Sequence, residues 1–140
     1  MIIFSDLDND FRILDYCISH SQLLIRSLRN KDRNYNIDIH FKAVDFLHIQ
    51  SRITGIEISR LDAEKSDQVG KEYTLTLRKG DCVFCLKEAS GRSFFIVAMA
   101  VGAFHSDVDI LETTIGRFGY NSPGEGVLWY SDREPGDFKD

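Results

Sequence analysis

The chain has 140 residues and a formal net charge of −5; 43% of it is hydrophobic and 28% charged. That length fits one domain with a core of its own, and the composition is globular rather than disordered. The acidic balance argues against nucleic acid as a partner, and an odd count of three cysteines matches no disulfide framework.

In chain order, Met1–Phe4 is apolar but stops at Ser5-Asp6, far short of a signal-peptide core. Residues 11–18 (FRILDYCI) and 21–28 (SQLLIRSL) alternate loosely as strands, separated by a short polar break. RNKDRNYN, 29–36, reads as a hairpin loop. IDIHFKAVDFLHI, 37–49, is a long strand whose odd positions Ile37, Ile39 and Phe41 face one way and Asp38, His40 and Lys42 the other. A bend or bulge is needed near Asp45 to keep its apolar face inward. ITGIEIS, 53–59, alternates again, and Gly55 within it marks a bulge or a close approach.

LDAEKSDQVGKE, 61–72, is polar and reads as a solvated loop with at most a helical turn, because Gly70 and the lack of an apolar stripe argue against a long helix. YTLTLR, 73–78, alternates as a strand, and Lys79-Gly80-Asp81 turns the chain into CVFCLK, 82–87. After a second turn, SFFIVAMAVGAF, 93–104, is apolar on both faces. Its unbroken apolar stretch, 94–104, is too short to span a bilayer and reads as a central strand covered on both sides. Residues 106–116 suit either a helix capped by Ser106 or a strand. Residues 119–126 read as a loop, VLWY at 127–130 as a last strand, and 131–140 as a charged, frayed tail.

The expected fold is mainly β. Residues 1–130 form one antiparallel domain, a sandwich or open barrel of about seven to eight strands with at most one or two short helices. With no membrane segment and no disulfide pattern, a cytoplasmic location is expected.

Few motifs carry chemistry. Cys82 and Cys85 are three apart; on a strand they point to opposite faces and cannot grip one ion, so packing is the better reading. No metal site and no cofactor is expected. Asp38 and His40 share a strand face about 7 Å apart, which suits an oriented base but also a plain polar face. His105 with Asp107 and Asp109 follows the apolar strand and would serve a hydrolase-type enzyme, although Ser106 and the aspartates also fit a helix cap. The one concentration of positive charge is Arg26, Arg29, Lys31 and Arg33, with Tyr35 beside it. Such a hairpin tip can hold an acidic group of a partner, and Trp129 with Tyr130 can act as interface anchors.

The leading expectation is therefore a non-catalytic protein-binding module, one that could neutralise a partner in the manner of an immunity protein. Its binding residues would be Arg26, Arg29, Lys31, Arg33, Tyr35, Trp129 and Tyr130. Self-association as a two-fold homodimer is compatible with free sheet edges. Two alternatives stand beside it: a small-ligand-binding β-barrel lined by the small residues of 94–104, and the enzyme using His105 with Asp107 or Asp109.

Overall fold

The computed structural model describes residues 2–116 and the backbone of residues 127–130. Nine antiparallel strands occur among them: β1 Ile2–Cys17, β2 Gln22–Ser27, β3 Asn36–Lys42, β4 Phe46–His48, β5 Arg52–Arg60, β6 Cys82–Lys87, β7 Ser93–Ala98, β8 Ala100–Ser106 and β9 Val127–Tyr130. One helix, α1 Ala63–Glu72, joins β5 to β6. The strands form a single sheet in the order β4-β7-β6-β5-β1-β2-β3-β8-β9.

Two long strands are bent, and the bends curl the sheet. β3 and β4 are successive halves broken at 43–45, where Ala43 takes φ +54°. β7 and β8 are successive halves broken at Met99. The two bent strands run antiparallel, with Lys42 opposite Ala100 and Phe46 opposite Val97. β7 also pairs with β6, and β3 also pairs with β2. The pairings thus run β2–β3–β8, through Met99 into β7, then β6–β5–β1 and back to β2. This is the barrel alternative, built from one coiled sheet.

The interior follows from period-two alternation. Leu23 and Ile25 of β2, Ile37, Ile39 and Phe41 of β3, and Phe84 and Leu86 of β6 converge on Phe11, Ile56, Ile58 and Ile96 in one buried cluster. Ala98 and Ala103, candidates for lining a ligand cavity, are packed into that cluster. Cys82 points into it, while Cys85 lies on the opposite, half-buried face of β6. All three cysteines are free thiols.

A second, smaller cluster covers the outside of β6 and β7. Val69 of α1 packs there with Val83, Val97, Tyr73, Leu75 and Leu77. The helix occupies the stretch read as a solvated loop. Asp62 caps it by accepting a hydrogen bond from the Lys65 amide at 2.9 Å. Its apolar stripe is only Val69 and Gly70, because Tyr73, Leu75 and Leu77 complete the patch from just beyond its end. That continuation is not a strand. The alternation of YTLTLR is real, but the segment makes no ladder; it turns out of the helix at Tyr73 and Thr74 and packs Tyr73, Leu75 and Leu77 against the sheet's outer face.

Two further expectations are corrected. β1 begins at Ile2, not near Phe11; its first half carries Asp6, Asp8 and Asp10, whose polarity hides a strand. Residues 107–116 are neither helix nor strand but an irregular strap. The expected loop at 119–126 and tail at 131–140 lie outside the described residues. No helix among the described residues is long and apolar enough to cross a membrane.

Gly55 shows why the β1–β5 pairing needs a glycine. It has φ +73°, and a Cβ there would sit 2.8 Å from the Leu7 carbonyl oxygen. The register of β1 against β5 shifts at this point, between Asp6 and Asp10. Backbone cannot yield as a side-chain tip can, so Gly55→Ala is expected to cost about 2 kcal/mol in chemical denaturation, from left-handed strain plus the displaced strand. A loss under about 0.5 kcal/mol would show that β1 moves freely here.

Candidate functional site

The polar residues of β2 and β3 meet on the outside of the barrel. Alternation sends Arg26, Asp38, His40 and Lys42 to that face, and all four are buried, Arg26 and Asp38 completely. The strap 107–116 closes over Arg26, Asp38 and His40. Arg26 Nε donates to Asp38 Oδ1 at 2.6 Å and Nη2 donates to Oδ2 at 3.0 Å, a two-pronged pair. Its Nη1 reaches the strap, donating to the carbonyls of Ile110 at 2.9 Å and Asp109 at 3.3 Å. Asn36 Nδ2 donates to the Val108 carbonyl at 3.0 Å.

Thr114, at the far end of the strap, completes the network. Its hydroxyl donates to Asp38 Oδ2 at 2.7 Å and lies 2.9 Å from His40 Nε2. A hydroxyl has one proton. Since that proton goes to the carboxylate, His40 must donate from Nε2, which fixes its tautomer. Burial pushes the His40 pKa down to about 4; Asp38 opposes the shift, while Lys42 and Arg26 reinforce it. Burial likewise lowers Lys42 to about 8. The His40–Asp38 pair named from sequence therefore does converge, through Thr114, but under a strap rather than at an open face.

His105 is placed differently. It lies at the end of β8 with its ring stacked on Tyr35, centroids 3.9 Å apart and planes 24° apart. Burial, then the charge of Arg33, lowers its pKa. Asp109 turns away to Arg29, with Oδ1 3.7 Å from Nη2. The Asp107 carbonyl accepts from Arg29 Nη1 at 3.2 Å. No hydrogen bond or ion pair joins His105 to either aspartate among the described residues.

The basic hairpin splits into two environments. Arg26 is interior and already committed to Asp38 and the strap, so it does not sit with the loop cations. Arg29 is half-buried against the strap and Lys31 is exposed. Arg33 lies over the Tyr35 ring, its guanidinium carbon 5.6 Å from the centroid. Its Nη2 donates to Ser27 Oγ and the Leu28 carbonyl, both at 2.9 Å. Its Nε and Nη1 are shielded from water and make no hydrogen bond. Arg33, Tyr35 and His105 thus form one stacked row. For Trp129 and Tyr130 only the backbone is described: they pair with Ala103 and Gly102 of β8.

That row stands beside a gap in the barrel wall. β2 pairs with β1 only from Arg12 to Cys17, so among the described residues Ile2–Asp6 of β1 pairs on one side alone, with β5, and residues 7–9 bulge out between the paired Asp6 and Asp10. The space left open is a groove of about 690 Å³ between Phe4–Asn9 on one side and Ile37 and His105 on the other. Ile2 and Leu7 of this half-strand are 60% and 47% exposed. Sequence reading missed the groove because it depends on β2 being shorter than β1, which only the pairings reveal.

A second cluster of titratable groups sits near the bend of β3–β4. His20, Ser21 and Ala43, all with positive φ, line a cavity of about 260 Å³ with Asp45 and Arg78. Asp45 is 3.6 Å from Arg78. Burial, and then the Asp45 carboxylate nearby, raises the Asp81 pKa. Among the described residues no group of three or more His, Cys, Asp or Glu side chains is arranged to hold a metal ion. The chain matches no protein-family model, no curated protein and no solved structure.

Proposed function

We propose that the protein is a non-catalytic protein-binding module that engages its partner at the wall gap. The observation that carries this reading is the row Arg33–Tyr35–His105, whose last member lines the groove. Arginine and tyrosine dominate the energetics of protein interfaces, since both offer large rigid contact area together with polar tips. Arg33 also has two guanidinium nitrogens, Nε and Nη1, without acceptors among the described residues, and leaving such buried donors unsatisfied costs about 1–3 kcal/mol each. A partner's acceptors, reached by a small shift of the hairpin tip, would relieve that cost. By contrast, the His40–Asp38 pair is closed upon itself beneath the strap, which suits structure better than turnover. The tightly packed interior also weighs against a ligand-holding barrel.

The test is capture from a lysate of the source cell with the wild-type protein and with Arg33→Ala/Tyr35→Ala. A stoichiometric partner held by the wild type at about 0.5 M salt, where the Debye length is only a few Å, and lost by the double variant is the expected result. A partner held equally by both overturns this placement of the interface. Nothing captured by either overturns the reading itself. Neutralisation is tested on the captured protein: its own activity should fall when the complex re-forms.

A further inference from the structure

We infer that the groove beside β1 accepts an extended, basic segment of a partner protein as an added β-strand. This rests on the binding-module reading and specifies its chemistry. Six consecutive residues, 4–9, line the groove. Phe4, Ser5 and Asp6 are consecutive in the stretch paired with β5, and on a strand consecutive residues line a groove that runs along its edge rather than over one face; residues 7–9 are the bulge opposite Gly55. Among the described residues the edge in question has no strand partner from Ile2 to Asp6, because β2 ends its pairing at Arg12. Its outward backbone N–H and C=O groups form a ready template for another strand. Ile37 and His105 complete the lining of the groove.

Charge decides what kind of strand enters. Asp6 and Asp8 line the groove, and no lysine or arginine does. Asp6 is held by Asn9, whose Nδ2 donates to Oδ2 at 2.8 Å, whereas Asp8 is exposed. A second copy of this chain is the natural rival occupant, since free edges pair with their own kind. Antiparallel self-pairing centred on residues 6–9 would, however, set Asp6, Asp8 or Asp10 opposite one another, and like charges directly across a ladder repel. A lysine-bearing strand meets the same carboxylates favourably.

The experiment uses the full chain and two synthetic twelve-residue peptides, one alternating lysine with valine and one alternating glutamate with valine. Amide exchange is followed residue by residue by NMR. The lysine peptide is expected to slow exchange within residues 2–10, and the glutamate peptide to leave it unchanged. Asp8→Lys, at an exposed position, should weaken the lysine peptide roughly tenfold and raise the affinity for the glutamate peptide. Protection elsewhere, or none with either peptide, overturns the inference. So does protection of 2–10 that grows with protein concentration alone, which would assign the edge to a second copy. A captured partner that Asp8→Lys retains undiminished also overturns the groove assignment, while leaving the binding-module reading intact.

Discussion

Asp38→Ala should destabilise the protein by about 3–5 kcal/mol, the largest effect expected of any single substitution outside the apolar core. Arg26 is wholly buried and, as a guanidinium, does not lose its proton when desolvated. Asp38 is the counter-ion that makes this burial tolerable, through bonds of 2.6 and 3.0 Å. Removing it leaves a buried cation and strips Thr114 of its acceptor, so the strap 107–116 loses its inner anchor. Urea denaturation should show a lower midpoint, and amides in 107–116 should exchange faster than those in β6. Replacing both members together, Arg26→Met with Asp38→Leu, should recover much of the loss, because no buried charge then remains. A single-variant cost below about 1 kcal/mol would mean that Arg26 finds water or another acceptor, and the network would not be the clamp described here.

Acidification should act through His40. Its folded-state pKa of about 4 lies below the value of 6.5 expected in the unfolded chain. Between these values the unfolded state binds a proton that the folded state refuses, so stability falls as pH drops from 6.5 towards 4 and is unaffected by this group above that window. The difference amounts to about 3 kcal/mol when complete. Carboxylates titrate in the same range, so the contrast with His40→Gln isolates the effect: the variant keeps a donor for Thr114 but has no proton to gain. Denaturation at pH 7, 5.5 and 4.5 should show the wild type losing stability faster than His40→Gln. Parallel losses would place the acid sensitivity elsewhere.

The barrel was legible in the sequence where one face is apolar and the other polar. Ile37, Ile39 and Phe41 alternate cleanly and point inward, and the bend near Asp45 follows from where that alternation fails. Gly55 advertised a close approach and has one. Legibility failed where partners are distant in sequence. The even residues of β3 read as a polar outer face, yet they are buried, because the strap that covers them comes from 107–116 and has no periodicity of its own. The helix was missed because its hydrophobic patch is shared with Tyr73, Leu75 and Leu77 beyond its end. In the candidate site the sequence pointed to Arg33 and Tyr35, but it grouped Arg26 with them. Position in the chain could not separate a cation on β2, facing Asp38, from one on the hairpin tip. It also set His105 beside Asp107 and Asp109, whereas stacking draws its ring to Tyr35.

The bend at Met99 has a consequence for how the chain reaches this state. The strand it divides touches four others: β4 and β6 before the bend, β3 and β9 after it. Both halves of the barrel are therefore seamed by one continuous run of chain, and the seam joins Ile37 to His105 and Phe46 to Val97 across long stretches of sequence. Such a seam forms only after much loop entropy has been given up. Folding should be slow for a domain of this size, on the order of milliseconds to seconds. Once formed, the seam leaves no half of the barrel able to open alone, so loosening one side loosens the other.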